Sequence, residues 1–141
     1  MTIREEKFQK LLKQFTSRAQ VISLPCPGLV EFVERGELES EALDDFLSAL
    51  FAPYRDEPID AVVLGCTHYP LIRESIQKSL GSGVAVFDGG AGTARETLRK
   101  LKEYKILSDS TEQGTVVFEN STGDERMIEL SRYLLERNLK H

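Results

Sequence analysis

The chain has 141 residues, two cysteines and a net charge of −5, with 40% hydrophobic and 29% charged residues, a balance that suits one ordinary core and excludes disorder. Its basic residues are scattered and no apolar run approaches the roughly 20 residues of a bilayer span, so neither nucleic acid nor a membrane is an expected partner. Two cysteines are too few for a disulfide scaffold, and the charged opening Arg4-Glu5-Glu6-Lys7 is unlike a secretory signal, so the expected compartment is the cytoplasm, with both thiols reduced.

Phe8, Leu11, Leu12 and Phe15 recur at helical spacing and predict an amphipathic helix over 4–18. A short strand is expected over 20–24. Pro25-Cys26-Pro27-Gly28 breaks regular structure, after which Leu29, Val30, Phe32 and Val33 predict a short helix ended by Gly36. Ser40 is placed to cap the next helix, whose stripe of Leu43, Phe46, Leu47, Leu50 and Phe51 runs until Pro53 stops it. The apolar run at 61–65 predicts a strand buried on both faces, followed by a helix over 72–80 and a second strand over 84–87. Residues 93–104 read as helical and 115–118 as a late strand. The end, 124–137, reads as a helix with Met127, Leu130, Leu134 and Leu135 on one side. Such alternation predicts an α/β fold: three layers, with a mainly parallel sheet flanked by helices.

Val62-Val63-Leu64-Gly65-Cys66-Thr67-His68-Tyr69-Pro70-Leu71 is the stretch that carries chemistry. It delivers a thiol to the carboxyl end of a strand, where open α/β sheets gather their ligands. Thr67 can donate or accept a hydrogen bond and His68 can take or give a proton, while the amides opening the next helix would favour an anion and a thiolate. The plainer alternatives are a cysteine inert at a strand end, a threonine serving only the turn and a histidine capping the helix. Asp88-Gly89-Gly90-Ala91-Gly92 lacks both the full dinucleotide fingerprint and the lysine of a P-loop, so a tight turn into a helix explains it better. Arg73 lies one residue too far from Cys66 for the cysteine-phosphatase spacing. No His, Cys and Asp cluster stands at metal-ligand spacing, so no metal is expected.

Gly65-Cys66-Thr67-His68-Tyr69-Pro70 resembles the signature around the second catalytic cysteine of bacterial glutamate racemases, in the aspartate/glutamate racemase superfamily. Cys26 to Glu34, Asp88 to Arg95 and Thr122-Gly123-Asp124 resemble further segments of that family in the same order. The resemblance implies a cofactor-independent enzyme that interconverts L- and D-glutamate for peptidoglycan synthesis through two cysteines, one on each face of the substrate. It gives Cys66 one of these acid–base roles, has His68 assist it, and has Thr67 and His68 contact the substrate. It places Glu34 where a carboxylate could orient the imidazole, with Glu31 the weaker candidate. Cys26 corresponds to a proline-flanked turn rather than to the second base.

The family's other cysteine belongs to a Cys-Asn-Thr segment, preceded by Asp-Ser-Gly, and neither occurs here. The chain therefore resembles the C-terminal half of a racemase, with Met1-Thr2-Ile3 expected to lie inside the parent protein and the chain expected to be inactive alone. By the same resemblance, 1–87 is the second α/β domain, carrying Cys66, and 88–141 is the segment that returns to the missing N-terminal domain. That domain, or a second copy in a homodimer, is the expected partner beside glutamate. The rival reading is a non-catalytic binding or regulatory module derived from an amino-acid racemase.

Overall fold

The structure is a computed structural model and describes residues 6–14 and 19–138. The first helix, α1 (Glu6–Lys13), lies within the span expected to be helical; residues 4–5 and 15–18 of that expectation lie outside the described residues. Residues 20–24 form no strand, a correction to the sequence reading. Their β-branched side chains Val21 and Ile22 stay exposed, because strand propensity has no effect until a neighbouring strand supplies the ladder.

Helix α2 (Leu29–Glu34) begins at Gly28, whose φ of 90° is left-handed and whose missing Cβ would sit 3.3 Å from the Phe46 ring. It ends as the sequence predicts, at Gly36, with φ 76°. Glu37 N–H donates to Phe32 O at 2.9 Å and Gly36 N–H to Val33 O at 2.9 Å, the paired closure that a left-handed residue after a helix makes possible. Helix α3 (Glu41–Phe51) starts where Ser40 Oγ accepts the Leu43 N–H at 3.1 Å, satisfying one of the orphan donors of its first turn. It passes into a 3-10 turn, Ala52–Tyr54, at Pro53.

Strands β1 (Ala61–Val63) and β2 (Ala85–Phe87) pair in parallel, with Ala61, Val62 and Val63 opposite Ala85, Val86 and Phe87. Between them run the 3-10 turn Tyr69–Ile72 and helix α4 (Arg73–Leu80), the crossover that parallel strands require. Leu29, Val33, Leu38, Leu43, Leu47, Leu64, Ile72, Ile76 and Val86 form one buried cluster, with Val62 packed against it. The alternation of elements thus gives an α/β fold with a parallel sheet flanked by helices. The sheet is not buried on both faces as the apolar run suggested: Val63 is 75% and Phe87 56% exposed. Helices α2 to α4 gather the core on the Val62–Val86 side, and the opposite face has no cover among the described residues.

Beyond β2, α5 (Gly90–Glu103) presents no fully buried side chain. The expected strand at 115–118 is absent, and Val116 and Val117 are exposed for want of a partner strand. The last helix, α6 (Glu125–Asn138), turns back to the α2–α3 junction. There Leu134 packs on the core, Leu130 approaches Gly36, and Arg137 pairs with Glu39. Among the described residues no helix is long and apolar enough to cross a membrane.

Candidate active site

Leu64 and Gly65 carry the chain out of β1, and Cys66 follows at the carboxyl edge of the sheet. A compact turn takes over from there: Tyr69 N–H donates to Cys66 O at 3.3 Å and Leu71 N–H to His68 O at 3.0 Å. The turn folds His68 back on the cysteine, so that Cys66 Sγ lies 3.6 Å from His68 Nδ1. On the far side of the ring, His68 Nε2 lies 3.9 Å from Glu34 Oε1, at the end of α2. Thiol, imidazole and carboxylate therefore form one line, and a single tautomer with its proton on Nε2 serves both contacts. The thiol is half-buried, while the His68 and Glu34 side chains keep 37% and 49% exposure. Thr67 sits exposed between Cys66 and His68. In such an array the imidazole can exchange a proton with the sulfur while the carboxylate fixes its ring.

Cys26 sits in a different setting. Its Sγ donates to Leu24 O at 3.4 Å, and Tyr69 Oη donates to the Cys26 carbonyl at 3.5 Å. Burial pushes the Cys26 thiol up from its ordinary value, the Tyr69 hydrogen bond opposes that shift, and negative charge at Cys66 adds to it. Burial likewise pushes the Tyr69 hydroxyl up to about 12, with charge at Cys26 and Cys66 contributing next. The two sulfurs are thus within electrostatic reach of each other, and both are free thiols.

One pair escaped the sequence reading. Arg73, weighed there only against a phosphatase spacing, donates from Nη1 to Asp88 Oδ2 at 2.8 Å and from Nη2 to Val86 O. Asp88 Oδ1 accepts the Gly90 N–H at 2.8 Å, which makes Asp88-Gly89-Gly90 the tight turn into α5 that its composition suggested. The signal was an aspartate leaving one strand and an arginine opening the helix after the other, a pairing visible only once the strands are known to be neighbours. An open groove of about 560 Å³ lies along α5 between Gly92 and Ile106 and includes none of the residues around Cys66. It runs along one helix and is open rather than enclosed, unlike the clefts that hold ligands. Among the described residues no three His, Cys, Asp or Glu side chains gather as a metal site would need.

The model of the Asp/Glu/Hydantoin racemase family matches residues 6–97. A glutamate racemase of Clostridium perfringens is 44% identical over 135 residues, covering 96% of this chain and 52% of that protein. One from Clostridium botulinum is 42% identical over 136 residues, covering 96% and 53%. The chain spans about half the length of the curated relatives it matches. Among solved structures, Escherichia coli glutamate racemase in complex with L-glutamate and the activator UDP-MurNAc-ala superposes with a TM-score of 0.75 at 26% identity, over 94% of this chain and 51% of that one. A Bacillus anthracis glutamate racemase isoform gives 0.73 at 27% identity, over 96% and 50%.

Proposed function

The chain belongs to the Asp/Glu/hydantoin racemase family, and from that premise we propose that it supplies one acid–base face of a glutamate racemase site. The observation that carries this reading is the line Cys66–His68–Glu34 at the carboxyl edge of the sheet, with contacts of 3.6 and 3.9 Å. Racemisation removes the α-proton of an amino acid on one face and returns one on the other, with a nearly planar carbanion between. Cys66 is the group that takes or gives the proton on its face. His68 exchanges a proton with Cys66 and contacts the substrate, Glu34 orients the imidazole, and Thr67 offers its amide and hydroxyl to the substrate carboxylate. Glutamate is the substrate because the relatives are glutamate racemases and the E. coli structure holds L-glutamate.

A single thiol cannot serve both faces. Cys26 does not fill the second role, since burial pushes its thiol up from its ordinary value and its sulfur is turned to the Leu24 carbonyl. The opposing base belongs to a Cys-Asn-Thr segment of the kind missing from this sequence. Residues 1–87 form the domain that bears Cys66, and 88–141 the segment that meets the other half of the site or a second copy of the chain. Cofactor independence, a cytoplasmic setting and a role in supplying D-glutamate for peptidoglycan belong to the same reading. The absent second thiol equally favours a non-catalytic module that retains half of a glutamate pocket.

Two measurements on the chain decide. Glutamate at saturating concentration should slow alkylation of Cys66, and absence of protection would sink both readings. Exchange of the glutamate α-proton with deuterated solvent should be absent, or far below the roughly 1–10³ s⁻¹ of ordinary enzymes. Turnover in that range by the chain alone would overturn the half-site.

A further inference from the structure

The loop that carries Cys66, Thr67 and His68 is tied to the end of β2 from both sides. Before the loop, Leu64 N–H donates to Phe87 O at 2.8 Å. After it, Arg73 reaches Asp88 Oδ2 at 2.8 Å with one nitrogen and the Val86 carbonyl with the other. Asp88 is itself held, because its other oxygen accepts the Gly90 N–H at 2.8 Å. Three consecutive residues, Val86, Phe87 and Asp88, thus fasten both ends of the 65–72 loop.

We propose that Arg73 is a positioning residue for the proton-transfer pair: braced on Asp88, its guanidinium fixes the 65–72 loop so that Cys66 Sγ and His68 Nδ1 stay in contact. This inference rests on the roles given above to Cys66 and His68. A planar guanidinium can hold two acceptors in a fixed fork, whereas a lysine ammonium in its place acts as a point charge without that fork. The brace is well suited to positioning and poorly suited to holding up the fold. The Arg73 and Asp88 side chains are 43% and 24% exposed, so solvent screens the pair and its net stabilisation is small. The fold rests on the apolar cluster around Leu43, Leu47, Ile72 and Ile76, in which neither the Arg73 nor the Asp88 side chain takes part. Proton transfer, by contrast, is sensitive to displacements of about 1 Å.

The test follows alkylation of both cysteines in the full chain by iodoacetamide across a pH series, with peptide mapping and Cys26 as the internal reference. His68→Asn is expected to change the Cys66 pH profile. Arg73→Met and Asp88→Asn are expected to reproduce that changed profile, with the Cys66 to Cys26 rate ratio near neutral pH falling roughly tenfold, within the loss that a displacement of about 1 Å can cause. Arg73→Lys should recover part of the native profile, and the double variant Arg73→Met/His68→Asn should resemble either single one. A native Cys66 profile in Arg73→Met and Asp88→Asn, beside a changed one in His68→Asn, would overturn the inference and leave the site reading intact. An unchanged profile in His68→Asn would overturn the site reading and the inference with it. Should Arg73→Met lose its circular dichroism signature of folding, Asp88→Asn and Arg73→Lys decide in the same way.

Discussion

Two cysteines of one chain differ because their neighbours differ. Cys66 leaves a strand end beside His68, while Cys26 sits in a proline-bounded turn against the core, where burial raises its thiol above the ordinary range. Alkylation near neutral pH should therefore label Cys66 faster than Cys26, with the Cys26 rate rising as the solution becomes alkaline; preferential labelling of Cys26 would contradict the site. Tyr69 gives a second test. Its pKa is raised from 10.0 to about 12, so the folded state holds the phenolic proton more tightly than the unfolded chain. The associated stability is fully present below pH 10, and is lost as the pH rises through about 12. An alkaline titration followed by phenolate absorbance should show a step near 12 that Tyr69→Phe removes, and a Tyr69 step at the ordinary value in the folded protein would count against the packing described.

Helix termini here are governed by local chemistry, and their glycines separate into kinds. Gly28 has a φ of 90° and faces the Phe46 ring at 3.3 Å, whereas Gly92, inside α5, has open space where a Cβ would go. Gly28→Ala should cost about 1–2 kcal/mol for the left-handed backbone alone, and Gly92→Ala should gain about 0.5–1 kcal/mol by removing a flexible residue from a helix. Ser40→Ala should cost about 1 kcal/mol, through loss of the acceptor for the Leu43 amide. Urea denaturation of the three variants checks all of this, and equal effects at Gly28 and Gly92 would refute the distinction.

For the molecule as a whole, the uncovered sheet face is the telling feature. Val63 and Phe87 are direct neighbours across the ladder and are 75% and 56% exposed. Contiguous apolar surface of this sort drives association when it is large enough. Light scattering should show association that grows with concentration and weakens in Val63→Lys. A strictly monomeric protein at high concentration would speak against it.

What the sequence determined by itself is what depends on near neighbours. The cap at Ser40, the closure at Gly36, the break at Pro53, the stripe of α3 and the turn from Asp88 into α5 each involve partners within a few residues, so spacing and residue type suffice. The Cys66-Thr67-His68 stretch was legible for the same reason, since its turn brings thiol and imidazole together within three residues. Glu34 was reached through family resemblance, not spacing. What only the tertiary structure decided involves partners far along the chain. The runs at 20–24 and 115–118 have strand composition but no neighbouring strand, and a ladder cannot form from one strand. Burial of the 61–63 strand on one face alone, the return of α6 to the α2–α3 junction, and the clasp of Arg73 on Asp88 each depend on which distant segments the core draws together. Helical hydrogen bonds close within four residues, whereas sheet partners and braces are chosen by packing across the molecule, which is why no local pattern announced them.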